Sequence, residues 1–245
     1  MSRPRFHVPE AAPGARVVLP EHTAHHARDV LRLGSGAAVR VFDGNGAEFE
    51  ATLETVTRRV VEARLGAAVR PSPESPLRLH LALSPLKGDR MELVIQKGTE
   101  LGVTAFHPVV TARTDAAARP ALRGARQERW DKVASGAAEQ SNRAVVPEIA
   151  ATLPLADFLV LPFDGSKLLL LERTGVASIA RVPAPTEGTG ILVLVGPAGG
   201  WEDFEIERAT TAGFLPVALG PRILRAETAA IAAVVVAQAL WGDLR

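Results

Sequence analysis

The order of apolar and polar positions divides the chain into two regions that meet at a run of prolines. Before the prolines the pattern is one of short strands with a single helix. Arg16–Leu19 is extended, and Thr23 to Leu33 reads as a helix with Thr23 as N-cap and Gly34 past its end. Ala38–Phe42 and Ala47–Leu53 flank Asp43-Gly44-Asn45-Gly46, a strong hairpin signal, and Arg59 to Ala68 forms a further strand. Strands at this spacing predict a small barrel. Arg70-Pro71-Ser72-Pro73-Glu74-Ser75-Pro76 then reads as a linker.

Beyond the linker, strands and helices alternate. Leu79–Leu83 is a strand, and Asp89 caps a helix from Arg90 to Leu101, with Glu92 placed as in a capping box and Gly102 at the stop. Val103 to Thr111 is a strand and Arg126 to Gln140 a helix; Phe158–Leu161 and Leu168–Leu171 read as buried strands. Ile191–Val195 is a continuous apolar run bounded by glycine, as a central parallel strand requires. Trp201 to Ala212 is a helix closed by Gly213, Pro216–Leu219 a strand, and Glu227 to Trp241 a long apolar helix. The alternation predicts an α/β domain with a mostly parallel sheet.

Composition narrows the chemistry. The 245 residues are 47% hydrophobic and 22% charged, which excludes wholesale disorder and allows a real core. With no cysteine and no tyrosine, disulfides, thiolate metal sites, cysteine nucleophiles and phenol catalysis are excluded. Met1 to Glu10 has no apolar core of a signal peptide, and the longest apolar run, Ala229 to Trp241, is too short to span a bilayer. A soluble, cytoplasmic protein without a membrane partner is the expectation. The net charge is only +1, so charge alone makes no case for nucleic acid.

Two loops stand out. Gly196-Pro197-Ala198-Gly199-Gly200 joins the Ile191–Val195 strand to the next helix, where glycines let backbone groups approach a ligand. It is neither GxGxxG nor a Walker A loop, and Glu202 and Asp203 at the helix start would repel phosphate. Leu219-Gly220-Pro221-Arg222-Ile223-Leu224-Arg225-Ala226-Glu227 follows the next strand in the same way. Its plain reading is an Arg225–Glu227 salt bridge at a helix start; paired with the glycine loop it suggests a shared pocket. His25-His26 lacks metal-ligand spacing, and no metal is expected.

Together these blocks resemble the ribosomal RNA small subunit methyltransferase E family of SPOUT methyltransferases. The resemblance is carried by His25-His26 through Arg32 with Phe42-Asp43-Gly44, by Lys87-Gly88-Asp89-Arg90-Met91-Glu92, and by Gln96-Lys97 with Thr99 to Val103. It continues in Arg129-Trp130 through Ser141, the Gly196–Gly200 loop, Ala212-Gly213-Phe214, and Leu219 to Ala229. The family usually has Glu where Ala198 stands and Thr where Ala226 stands.

The resemblance implies a PUA-like RNA-binding barrel over residues 1–72 and an α/β-knot methyltransferase domain, with a deep trefoil knot, over residues 73–245. It implies a homodimer, S-adenosylmethionine as methyl donor, and 16S rRNA of the 30S subunit as substrate, methylated at uridine N3 near the decoding site. Leu170, Leu171, Gly196, Pro197, Ala198, Gly199, Gly200, Leu219, Gly220, Ile223, Leu224, Arg225 and Ala226 are then the cofactor residues. Arg225 is the catalytic candidate, with Glu227 as its orienting partner or as proton acceptor. Arg3, Arg5, Arg28, Arg32, Lys87, Arg90, Gln140, Ser141, Asn142 and Arg143 are the candidates for holding RNA. Methylation of tRNA or another base, or a non-catalytic role in ribosome assembly, are the competing readings.

Overall fold

The structure is a computed structural model that describes residues 3–115, 125–172 and 175–244. It divides into two compact units, one of residues 1–74 with 134–146, the other of residues 75–133 with 147–245. A boundary drawn at the proline linker leaves 134–146 in the second unit; the structure packs that segment into the first.

The first unit is a curled five-stranded sheet. Its strands are β1 (Arg5–His7), β2 (Arg16–Val18), β3 (Ala38–Phe42), β4 (Glu48–Val56) and β5 (Val61–Val69), in the order β1-β3-β4-β5-β2. The β1–β3 pair is parallel and the others are antiparallel. Alternate residues point inward, so Phe6, Val39, Val41, Phe49, Leu53, Val61 and Leu65 form the core. The β3–β4 turn forms as its sequence demands: Gly44 and Gly46 take positive φ, and the Asp43 carboxylate accepts from the Asn45 and Ala47 amides. The expected helix over Thr23–Leu33 differs in detail. Helix α1 (Glu21–His25) is capped by Pro20, with no side-chain cap, and widens into a π-turn over His26–Val30. Thr23 is buried within it.

The second unit is built on a parallel sheet. Its strands are β6 (Arg78–Leu83), β7 (Ala105–Val110), β8 (Glu148–Ile149), β9 (Leu153–Pro154), β10 (Gly165–Leu170), β11 (Gly190–Val195) and β12 (Phe214–Val217). The order is β12-β10-β11-β6-β7-β8, with β9 also on β7, and every ladder is parallel. All six residues of β11 are buried, as the apolar run predicts. The helices are α2 (Arg90–Glu100), α4 (Leu155–Leu159), α5 (Asp203–Thr211), α6 (Ala226–Trp241) and the first part of α3 (Ala125–Gln140), whose residues from 134 onward belong to the first unit.

Two expectations fail here. Phe158–Leu161 is no strand: Phe158 and Leu159 close helix α4 and the chain then turns. Asp89 and Glu92 form no capping box, because both carboxylates engage Arg129, at 3.4 and 2.7 Å. Helix α6 leaves the sheet at its edge, after β12, and returns to lie against α2, β6, β11 and the turn over Ile179–Arg181. That return is the arrangement an α/β-knot domain calls for. Its Ala229, Ala230, Ala233, Val234 and Ala237 are buried, whereas Val235 and Leu240 are exposed.

Candidate functional site

The carboxyl ends of β10 and β11 open into a cavity of about 630 Å³, within the second unit. Parallel strands bring such ends together, and loops supply the walls. From the end of β10 comes Leu170, with Leu171 and Glu172 just beyond it; from the loop after β11 come Gly196, Pro197, Ala198 and Gly200, followed by Trp201 and Ile206. Ile223, Leu224, Arg225, Ala226, Glu227 and Ala229 enter from the last loop and α6, and Arg90 from the start of α2. Gly199, Leu219 and Gly220, named from the sequence, belong to the same loops but do not line the cavity.

Sequence requirements in the glycine loop are geometric. The Gly200 amide donates to the Pro197 carbonyl at 2.9 Å, and Gly200 holds φ +74°, a left-handed conformation glycine reaches at little cost. The Trp201 indole lies against Gly196, where a Cβ would come within 2.7 Å of Nε1, and Nε1 donates to the Leu170 carbonyl at 3.2 Å. Strand β10 and the loop are thereby tied through one ring. Beyond the loop, Glu202 caps α5 in a reciprocal capping box with Glu205. Glu202 is further held by Arg113, from the turn after β7, whose Nε donates to it at 2.8 Å while its NH1 donates to the Gly199 carbonyl, also at 2.8 Å. Glu202 is therefore engaged at the helix start rather than presented to a ligand.

Charges of both signs line the cavity. Glu227 does not pair with Arg225, as the sequence suggested; its carboxylate lies 3.6 Å from Nε of Arg90. Side chains two positions apart do not face each other at a helix start, so α2 supplies the partner instead. Arg225 is exposed at the N-cap of α6; its carbonyl accepts from the Ala229 amide, while its guanidinium makes no ion pair or hydrogen bond with a described residue. Trp201, Glu172 and Arg113 escaped the sequence reading. Only Arg113 carried a signal, being an arginine three residues past a parallel strand's carboxyl end.

The RNA-holding candidates separate sharply. Arg5 and Arg143 are 8% and 7% exposed and are consumed inside the first unit. Arg5 forks onto Glu48 at 2.8 and 3.3 Å and donates to the carbonyls of Ala138, Glu139 and Arg143; Arg143 pairs with Glu74 at 2.7 Å. Neither presents a fork to a phosphate, which corrects their assignment. Arg3 pairs with Glu50, and Arg28 with Asp29 and the Thr57 and Arg58 carbonyls, yet Arg3 stays half exposed. Arg32, at φ +54°, is exposed, as are Gln140 and Asn142, while the Ser141 hydroxyl turns back onto the Ala137 carbonyl. In the second unit, Lys87 is exposed and pairs with Asp115 at 2.7 Å, and Arg90 belongs to the cavity wall.

One titratable cluster lies within the first unit. Glu139 accepts from the His7 amide at 2.9 Å, and burial pushes its carboxyl up to about 7 against the opposing pull of that hydrogen bond and of Arg5. His7 stacks on Phe42, bonds Ser135 at 2.9 Å, and is pushed down by burial.

Known proteins place this geometry. Residues 73–238 match the family model of the RNA methyltransferase domain, and residues 19–65 that of the RNA methyltransferase PUA domain. The chain is 36% identical over 230 residues to the ribosomal RNA small subunit methyltransferase E of Synechocystis, covering 90% of this chain and 72% of that one. It is 33% identical over 211 residues to the Bacillus subtilis protein of the same name, covering 84% and 82%. Among solved structures, the Neisseria gonorrhoeae ribosomal RNA small subunit methyltransferase E bound to S-adenosyl methionine superposes with a TM-score of 0.89 at 35% identity, over 100% of both chains. A Legionella pneumophila structure in complex with the cofactor SAM gives 0.92 at 35% identity, again over 100% of both.

Proposed function

The chain belongs to the ribosomal RNA small subunit methyltransferase E family of RNA methyltransferases, and on that premise we propose that it methylates N3 of a uridine in 16S rRNA near the decoding site, with S-adenosylmethionine as donor. The observation that carries this reading is the cavity itself: Arg225, whose guanidinium has no partner among the described residues, stands on its wall together with the glycine loop that bears Gly196 and Gly200. A volume of about 630 Å³ suits a nucleoside-sized ligand. Leu170, Leu171, Val195, Ile206, Ile223 and Leu224 would cover an adenine, and the loop around Gly196 and Gly200 lets backbone groups come close.

When bound, S-adenosylmethionine supplies an electrophilic methyl group on a sulfonium centre. The chain must ready the base. Uridine N3 carries an imide proton that has to leave before or during attack, and the two flanking carbonyls then share the negative charge. Arg225, with no other partner among the described residues, is free to fork onto those oxygens and hold the base in line. Arginine stays protonated, so it stabilises charge rather than removing the proton. Glu227, steadied by Arg90 instead of Arg225, is the acceptor we assign for that proton.

We assign RNA holding to the first unit, through Arg3, Arg28, Arg32, Gln140 and Asn142, and the transfer to the second, where Lys87 is a separate candidate for RNA contact. The working form is a cytoplasmic homodimer. Along α6, the face bearing Ile231, Ala232, Val235 and Leu240 is left partly or fully open by the chain's own packing, and a second copy would cover it; sedimentation of a monomer at micromolar concentration would remove this assignment. Purified protein incubated with S-adenosylmethionine and 30S subunits should yield 3-methyluridine on nucleoside mass spectrometry. Label appearing in tRNA only, or in no RNA, would refute the proposal.

A further inference from the structure

The turn after β7 is bolted into the second unit more firmly than a connecting turn needs to be. Thr111 and Thr114 are buried and hydrogen-bonded to each other at 2.9 Å, and Ser84, itself fully buried after β6, bonds Thr114 at 2.7 Å. The Thr111 amide donates to the Thr114 hydroxyl at 2.7 Å, and the Ala112 amide donates to Glu205 of the α5 capping box at 2.8 Å. Between these fixed points stands Arg113, whose backbone is pinned while its side chain crosses to the glycine loop. Its Nε holds Glu202 and its NH1 holds the Gly199 carbonyl, and its Cβ lies 3.3 Å from the Cβ position a side chain at Gly199 would occupy.

The loop it reaches needs such an anchor. Gly199 and Gly200 are exposed, and two consecutive glycines sample many more backbone states than other residues. The Gly200–Pro197 turn bond fixes one side and the Trp201–Leu170 bond the other, but neither constrains the Gly199 carbonyl. Arg113 does so, and at the same moment holds the residue that caps α5. One planar fork thus couples the conformation of the loop to the helix behind it, a task for which two donors at fixed separation are required.

We propose that Arg113 is a positioning residue for cofactor binding, holding the Gly196–Gly200 loop in its ligand-receiving conformation without touching the reacting atoms. The inference rests on the methyltransferase reading of the cavity. A loop that is competent only part of the time weakens apparent affinity by the competent fraction and leaves the chemical step of the bound complex unchanged.

The test is isothermal titration of the full-length protein with S-adenosylmethionine, combined with steady-state methylation of 30S subunits. Arg113→Ala should raise the cofactor Kd and KM about tenfold and keep kcat at saturating cofactor within about twofold. Arg113→Lys should recover only part of the loss, since a point charge cannot serve both Gly199 and Glu202. Arg208→Ala, which removes an equal charge from the exposed face of α5, should leave Kd unchanged and controls for long-range electrostatics. The unliganded melting temperature separates positioning from global destabilisation. Unchanged Kd in Arg113→Ala, or a fall in kcat at saturating cofactor with Kd intact, overturns the proposal. A wild-type protein that binds no S-adenosylmethionine overturns the methyltransferase reading itself, independently of the variants.

Discussion

Gly196→Ala is the sharpest structural test of the cavity. The added Cβ would lie 2.7 Å from Nε1 and 2.8 Å from Cε2 of Trp201, closer than carbon atoms pack. A ring cannot yield as a flexible chain end does, so either the indole swings away or the strand end shifts. Overpacking of this kind costs about 1–3 kcal/mol, and losing the bond from Nε1 to Leu170 adds about 1 kcal/mol. A total of roughly 2–4 kcal/mol should lower the melting temperature by roughly 5–15 °C. Because the indole also walls the cavity, S-adenosylmethionine should bind at least about tenfold more weakly. Differential scanning calorimetry and isothermal titration read the two effects. Gly136→Ala is the internal control: its Cβ would meet nothing within 4 Å on helix α3, so it should be neutral or stabilising by about 0.5–1 kcal/mol. A Gly196→Ala protein that melts with the wild type and keeps its cofactor affinity would refute the packing argument.

Arg225→Ala should hold cofactor affinity within a few-fold and slow single-turnover methylation by roughly 10²–10³, the size of a lost oxyanion donor; a near-normal rate would remove the residue from the chemistry. Glu48→Ala, by stranding Arg5 in the core of the first unit, should cost about 3–5 kcal/mol in denaturant unfolding; a loss under ~1 kcal/mol would mean that Arg5 finds water. The Glu139 prediction concerns pH. Its native carboxyl titrates at about 7, above the value of 4.5 it has when exposed, so the native state binds the extra proton. That contribution is complete below the unfolded value and is lost as pH rises through about 7. Relative to wild type, Glu139→Gln should match stability near pH 4–5 and become more stable by about 3 kcal/mol at pH 8. His80 and His107, pushed down by burial, belong to the second unit and drop out of the difference, whereas His7, whose amide donates to Glu139, is read separately in a Glu139→Gln, His7→Gln double variant. Parallel curves from pH 5 to 8 would contradict the burial argument.

Local signals account for most of what the sequence revealed. Turn chemistry at Asp43–Gly46, the six apolar residues of β11 and the two glycine-bearing loops are properties of adjacent residues, and each stands where it was expected. Short apolar runs are ambiguous: Phe158–Leu161 fits a buried strand or one helical turn, and its pairing with β7 and α5 through α4 decided the matter. The capping box at Glu202 and Glu205 was invisible because glutamate is an uncommon N-cap. Arginine roles were least legible. Arg5, Arg143, Arg90, Arg113 and Arg225 look alike in a string, yet the structure buries two, pairs two in and beside the cavity and leaves the guanidinium of one without a partner among the described residues, according to which carboxylate the fold brings near.

Membership of Ala134–Val146 in the first unit has a consequence during synthesis. The bond from Arg5 to the Arg143 carbonyl spans 138 positions, and Phe42 packs against Ala138 and Ala144. At about 5–20 residues per second, a ribosome needs roughly 4–15 s after finishing β5 to deliver that segment. Throughout this interval the emerging N-terminal sheet has a buried arginine without its carbonyl acceptors and an aromatic ring without its cover. Protease resistance of stalled nascent chains should therefore rise only once residue 146 has cleared the exit tunnel. A chain cut or released earlier carries an unfinished sheet, with Arg5 and Phe42 short of the partners that residues 138–144 supply.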